Sequence, residues 1–235
     1  MNIVITGASK GLGRAIAEKF GEDKQGHGIF LCARNKEQLR AFALELQGRF
    51  PRTNVQYYAC DVSKPAEVQE FANWLLQQNI RIDVLVNNAG QFIPGSVHSE
   101  PAGALQQMIE TNLYSAYNLT RALLPAMMQA AQGHIFNMCS IASLQAYANG
   151  GAYSISKFAL AGFSKNLREE MKPHNIKVTA VYPGAAYTDS WSGSGVDPKR
   201  IMEAADVAAL IYAASFLSPQ ACVEDIILRP QLGDL

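Results

Sequence analysis

Thr6-Gly7-Ala8-Ser9-Lys10-Gly11-Leu12-Gly13 stands between a short β-rich run, residues 2–6, and a segment with helical spacing, residues 11–24. Glycine reaches positive φ at no steric cost and lets a backbone come close to phosphate. A helix that opens directly after such a loop offers unpaired N–H groups and a partial positive charge to an anion. Three glycines also make ordinary tight turns, so the pattern alone is weak. Its place, after the first strand and at the opening of a helix, is the context that a dinucleotide-binding loop requires. Leu12, Ala15, Ile16, Lys19 and Phe20 fall on one face of that helix.

The alternation continues outward. Residues 28–33, 55–59, 83–86, 134–139, 176–181 and 224–229 read as strands. Residues 36–47, a segment opening at Ser63-Lys64-Pro65, and residues 102–131, 152–171 and 206–217 read as helices. Ser63 is a candidate N-cap with Pro65 in the first turn, and Pro125 is expected to bend the long helix near its end. Strict β–α alternation predicts an α/β fold: a three-layer, Rossmann-type, doubly wound parallel sheet of about seven strands with helices on both faces. Near-continuous apolar strands such as Val84-Leu85-Val86 fit burial on both sides. No repeat, low-complexity run or composition break marks a linker, so residues 1–235 read as one nucleotide-binding domain.

Composition narrows the classes. Of 235 residues, 49% are hydrophobic and 17% charged, as in a globular chain rather than a disordered one. Twenty basic residues balance twenty acidic ones, whereas a general nucleic-acid or membrane-surface binder carries a basic excess. Cys32, Cys60, Cys139 and Cys222 form no CxxC pair and no zinc-ligand spacing, so no metal is expected and the thiols read as buried side chains in a reducing compartment. No apolar stretch reaches the roughly 18 residues of a membrane span, and no signal peptide opens the chain; a cytoplasmic protein is expected.

The ordered landmarks resemble the short-chain dehydrogenase/reductase family, in its compact single-domain branch. Its TGxxxGxG loop matches Thr6 through Gly13. Its NNAG run after the fourth strand matches Asn87-Asn88-Ala89-Gly90. Asn112 in the long helix, Ser140 after the fifth strand, Tyr153 and Lys157 as Tyr-x-x-x-Lys, then Pro183-Gly184 with Thr188 beyond complete the set across nearly the whole chain. The resemblance implies an oxidoreductase. Its cofactor would be held by Gly7, Ser9, Lys10, Gly11, Leu12 and Gly13, by the Asp61-Val62 pair at the adenine, and by Asn88, Ala89 and Gly90. Pro183, Gly184, Ala186 and Thr188 would hold the nicotinamide, and Tyr153 and Lys157 would also touch the cofactor.

The choice of nicotinamide falls at the end of the second strand. An acid there would bind the 2′-OH of NAD, and a base would neutralise the 2′-phosphate of NADP. The stretch reads Leu31-Cys32-Ala33-Arg34-Asn35, with no acid. Arg34 suits a phosphate because its planar fork donates two bonds, and Lys10 can reach the same group. NADP(H) is therefore preferred, with NAD(H) possible. Either cation alone could be a solvated surface charge, and Asp61 could be a strand-end turn residue.

Reducing a carbonyl needs a hydride donor and an acid for the developing alkoxide. A tyrosine of pKa about 10 is a poor acid–base at neutral pH, and a nearby lysine cation lowers that value. Tyr153 and Lys157 are four apart, on one helical face and in the first turns after Asn149-Gly150-Gly151. The resemblance makes Ser140 the group that polarises the carbonyl, with Ser143 a nearby competitor. It makes Asn112 the holder of a water that links Lys157 to solvent. A mid-helix asparagine and an i,i+4 Tyr–Lys pair are otherwise common surface features.

Residues 185–205 read as a short substrate lid, rich in glycine and serine around Gly193. Ser143, Tyr147, Tyr187 and Trp191 are candidate substrate neighbours, with Gln91 and Phe92 behind them. The resemblance also implies a homodimer or homotetramer through the long helices, although the C-terminal run lacks the family's Asp-Gly-Gly ending. Two other functions fit the same fold: a catalytically idle cofactor sensor, which would be expected to lose the tyrosine or lysine, and a sugar-nucleotide epimerase, which would carry a further C-terminal region.

Overall fold

The structure is a computed structural model, and it describes residues 1–188, 191, 193 and 195–234. Seven parallel strands form its centre, in the order β3 (Asn54–Ala59), β2 (Gly28–Ala33), β1 (Asn2–Thr6), β4 (Val84–Asn87), β5 (Gly133–Met138), β6 (Ile176–Pro183) and β9 (Asp225–Leu228). This is the doubly wound order. It reverses between β1 and β4, and ligands of such sheets bind in the crevice outside the strand ends at that reversal.

Alternate residues of a strand face opposite layers. Ile3, Ile5, Ile29 and Leu31 pack under Ile16 and Phe20 of α1 (Gly11–Gly21), Leu39 and Phe42 of α2 (Lys36–Arg49) and Ile211 of α7 (Ala204–Ser215). Val4 and Phe30 face the other way, onto Phe71 and Leu75 of α3 (Pro65–Gln77), Leu119 and Leu123 of α5 (Ser115–Ala130) and Leu167 of α6 (Gly151–Met171). Two apolar layers therefore clamp a sheet whose central strands are buried throughout.

The buried residues of α1 are Gly13, Ile16, Ala17, Phe20 and Gly21, with Leu12 and Ala15 packed against the same layer, so the expected apolar face holds and widens on the side of Gly13 and Ala17. Several expectations are corrected. Ser63 is not an N-cap: α3 starts one residue later, from Lys64, because Asp61 takes the Ser63 hydroxyl and N–H at 2.8 and 3.1 Å. The long helix is three pieces: α4 (Ala104–Ile109), a π-helical turn (Glu110–Tyr114) and α5, with Pro125 inside α5. The last helix runs over 204–215, two residues earlier than its expected 206–217, because Glu203 and Asp206 form a reciprocal capping box. Two short strands, β7 (Ala186–Tyr187) and β8 (Met202–Glu203), pair in parallel at the two ends of the expected lid. Residues 189, 190, 192 and 194 of that lid lie outside the described residues.

Candidate active site

The crevice at the β1/β4 reversal is assembled around Thr6. Its hydroxyl oxygen accepts from the N–H groups of Asn88 and Ala89, each at 3.0 Å. The Asn88 side chain donates back to the Thr6 and Gly7 carbonyls at 2.9 and 3.1 Å. The glycine loop and the run after β4 are thus one rigid unit. Gly13 lets the helix close on it: a β-carbon there would lie 2.4 Å from the Gly7 oxygen and 2.5 Å from Asn88 Nδ2.

Helix α1 then begins from Lys10 with no side-chain cap and no acid in its first turn. Its first N–H groups are the kind that an anion satisfies. Lys10 and Arg34 are exposed nearby, and neither forms an ion pair among the described residues. Uncapped helix, close glycine backbone and two exposed cations outside any close ion pair together suit a phosphate-bearing dinucleotide. Asp61 is more constrained than the sequence suggests, because one carboxylate oxygen is spent on the turn with Ser63. Burial works against its charge, but the bonds from Ser63 and the Arg34 charge hold the carboxyl below its usual range. Val62 beside it is buried in the core.

Asn112 lies in the π-helical turn and is buried, not exposed. Its oxygen accepts from the Gln91 N–H at 2.8 Å, and its nitrogen donates to the Gln91 carbonyl at 3.0 Å and to Ser156 Oγ at 2.9 Å. The side chain is therefore a clamp on residue 91 in this structure. A π turn sets one extra residue into the helix, a common device at functional sites. Asn112 and Lys157 both crowd Gly90, where a β-carbon would stand 3.2 Å from Asn112 Oδ1 and 3.5 Å from Lys157 Nζ.

Tyr153 and Lys157 share one face of α6. The ammonium lies 5.9 Å from the tyrosine ring centre and donates to the Met138 carbonyl at 2.7 Å. Burial dominates both groups. It pushes the Tyr153 phenol up, with a hydrogen bond to Ser140 acting in the other direction. It pushes Lys157 down to about 8. The phenol is thus raised by its surroundings rather than lowered by the lysine as expected; those surroundings include Phe92, whose ring centre lies 4.9 Å from that of Tyr153 in an edge-to-face arrangement.

Ser140 and Ser143 separate cleanly. Ser140 opens the short turn 141–143 and accepts from the Ala142 N–H at 3.1 Å, half-buried beside Tyr153. Ser143 is buried, with its oxygen accepting from the Ser140 N–H at 3.1 Å. Ser143 thus braces Ser140 from behind. Phe92, Tyr147 and Tyr187 are exposed, and Trp191 is half-buried. The backbone at Pro183 and Gly184 ends β6, Ala186 is buried, and Thr188 comes within 3.5 Å of where a β-carbon of Gly11 would be. Thr188 therefore faces the glycine loop.

Sequence reading missed Thr6 as the hub, Ser156 as the partner of Asn112, and the Met138 carbonyl under Lys157. It also missed a buried chain of amides. Asn87 donates to Thr120 at 2.9 Å and to Asn137 at 2.8 Å, and Asn137 donates to Ser164 at 2.9 Å. Thr6 and Ser156 could have been found, since both sit inside the quoted motifs. Asn137 and Ser164 carry no local signal.

A model of the family described as short chain dehydrogenase matches residues 1–197. The chain belongs to the short-chain dehydrogenase family. This short-chain dehydrogenase is 32% identical to a protein named sepiapterin reductase from Chlorobaculum tepidum, over 99% of this chain and 97% of that one. Its structure is similar to a metagenomic short-chain oxidoreductase in complex with NADP (TM-score 0.82, 33% identity, 98% and 97% of the two chains). It is also similar to L-sorbose reductase from Gluconobacter frateurii complexed with NADPH and L-sorbose (TM-score 0.87, 28% identity, 96% and 93%).

Proposed function

We propose that this short-chain dehydrogenase interconverts a ketone or aldehyde and its alcohol with NADP(H). The observation that carries the reading is the proximity of Ser140, Tyr153 and Lys157, with Ser140 beside the phenol and the ammonium 5.9 Å from its ring centre. A bound nicotinamide supplies or accepts hydride; the protein supplies position and proton. Gly7 through Gly13 and Asn88 through Gly90 would hold the dinucleotide, with Lys10 and Arg34 at the 2′-phosphate and Thr188 near the carboxamide. The NADP and NADPH complexes among the structural relatives support that choice.

In reduction, Ser140 donates a hydrogen bond to the carbonyl oxygen and Tyr153 delivers the proton from its phenol. Burial keeps the phenol protonated and ready as an acid. Lys157 places a cation beside the tyrosinate that forms, and its bond to Met138 fixes that cation. Exposed Phe92, Tyr147 and Tyr187 give the mouth an aromatic lining, which favours an uncharged carbonyl compound with an apolar body. A pterin side-chain ketone belongs in the assay panel because of the Chlorobaculum relative's name. The half-exposed Tyr114, Tyr117, Ile155 and Phe158 on the long helices suit pairing with a second copy of the chain.

The test is NADPH oxidation against a panel of ketones and aldehydes. Tyr153→Phe keeps the ring and removes the proton; turnover should fall about 100-fold or more, the usual worth of a positioned acid, with NADPH affinity nearly unchanged. Full activity in that variant sinks the mechanism.

A further inference from the structure

The helix that carries Tyr153 and Lys157 has no cap of its own. Its N-cap is Gly150, and no acid lies in its first turn. The opening N–H groups of a helix need acceptors from elsewhere. One comes from 52 residues upstream: Glu100 Oε2 accepts from the Ala152 N–H at 3.0 Å.

The contact is built in. Gly151 has φ +30°, and a β-carbon there would stand 2.5 Å from Glu100 Oε2 and 2.4 Å from the Gly95 oxygen. The Glu100 N–H donates to the Ser96 carbonyl at 2.8 Å, and Pro101 narrows the conformations open to residue 100. On the same segment, the Gly95 N–H donates to the Asn149 carbonyl at 3.1 Å and the Ser96 hydroxyl to Asn149 Oδ1 at 2.6 Å. Just beyond, Ala104 and Met108 of α4 pack on the fully buried Ala152, with Tyr153 against the same cluster.

We propose that Glu100 is a positioning residue for Tyr153: its carboxylate caps α6 from outside and fixes the tyrosine beside Ser140. The proposal rests on the carbonyl-reductase reading. A carboxylate at a helix N-terminus satisfies a donor and suits the helix dipole. Without it, the buried Ala152 N–H has no acceptor and the first turn loosens. Tyr153 is the third residue of that turn. Lys157 lies a turn deeper and keeps its own hold on Met138. Loss of Glu100 therefore shifts the phenol while leaving the lysine and the glycine loop in place.

The experiment compares wild type, Glu100→Ala and Glu100→Gln by kcat, NADPH Kd and amide exchange at Ala152 and Tyr153. Glutamine keeps an acceptor oxygen, so it serves as the conservative rescue. Glu100→Ala should lower kcat about ten-fold or more, since small misplacements of reacting groups are costly. Its NADPH Kd should stay within about two-fold, and exchange at the two amides should rise about ten-fold as the turn opens. Glu100→Gln should recover most of both. The proposal is overturned if Glu100→Ala keeps kcat, if NADPH affinity falls in step with kcat, or if glutamine protects no better than alanine. If wild type turns over no carbonyl, the functional reading fails, while amide exchange still decides the cap.

Discussion

At the scale of single residues, charge without a partner is the most informative feature. Several basic side chains around α1 have carboxylates: Arg14 and Arg49 share Glu18 and Glu45, and Lys19 holds Glu22. Lys10 and Arg34 form no such ion pair among the described residues, Arg34 acting only at longer range on Asp61, and they flank the uncapped start of α1. Replacing Arg34 with alanine should weaken NADPH by about 10- to 100-fold, the usual range for one charge-assisted bond, and NADH by less than about two-fold. Arg34→Asp should go further and reverse the preference, since a carboxylate repels the 2′-phosphate and accepts from a ribose hydroxyl. Fluorescence titration with both dinucleotides reads this directly. Equal losses for the two would remove Arg34 from the cofactor site.

At the scale of elements, α6 links the candidate site to the edge of the sheet. Arg168, near its far end, is buried and donates to the Val178 carbonyl at 2.9 Å, to Asp225 at 2.9 Å and to the Glu224 carbonyl. It is the staple that holds β9, a four-residue edge strand, against β6. Arg168→Met keeps length and loses these three bonds and a longer one, 3.5 Å, to the Glu224 carboxylate, leaving Asp225 and two carbonyls without it. The expected cost is about 3 kcal/mol, from charge-assisted bonds lost at two carbonyls and a half-exposed carboxylate, or about 6–12 °C in Tm at this chain length. Amide exchange in Ile226–Leu228 should rise more than in β1; uniform protection would mean that β9 is held by something else.

The elements were largely legible in the sequence, and the reason is their periodicity. Each strand is a run rich in apolar residues between helices with 3.6-residue spacing, which fixes type and order even where ends slip by two or three residues. The motif residues Thr6 to Gly13, Asn87 to Gly90, Tyr153 and Lys157 were legible because their spacing is local. What stayed hidden depends on chain segments meeting in space. Ser63 lost its cap role to Asp61, Ser143 turned out to brace Ser140, and Glu100 caps a helix 52 residues away. The π turn at Asn112 has no pattern of its own; it is visible only once Gln91 and Ser156 are seen to hold the side chain from both sides.

For the whole molecule, the same economy of partners sets its response to acid. His134 sits in the sheet centre on β5, stacked on Phe136, with Nε2 2.7 Å from Thr179 Oγ1. Thr179 gives its own proton to the Val223 carbonyl, so the imidazole must be the donor between them and is neutral with its proton on Nε2. Among the described residues no partner meets Nδ1. Burial, helped by the charge of Lys177, pushes the imidazole from 6.5 down to about 3. An unfolded chain binds a proton at this histidine below pH ~6.5, and the folded chain does not until near pH 3. The stability it supports is thus intact above pH ~6.5 and lost progressively below it. By pH 5 the loss amounts to about 2 kcal/mol, from 1.4 kcal/mol per pH unit. His134→Gln keeps a donor for Thr179 and removes the titration. Urea unfolding at pH 7 and pH 5 should show wild type losing about 2 kcal/mol more than the variant on acidification. Parallel losses in the two proteins would place the acid sensitivity elsewhere and leave His134 a neutral hydrogen-bonding spacer of the core.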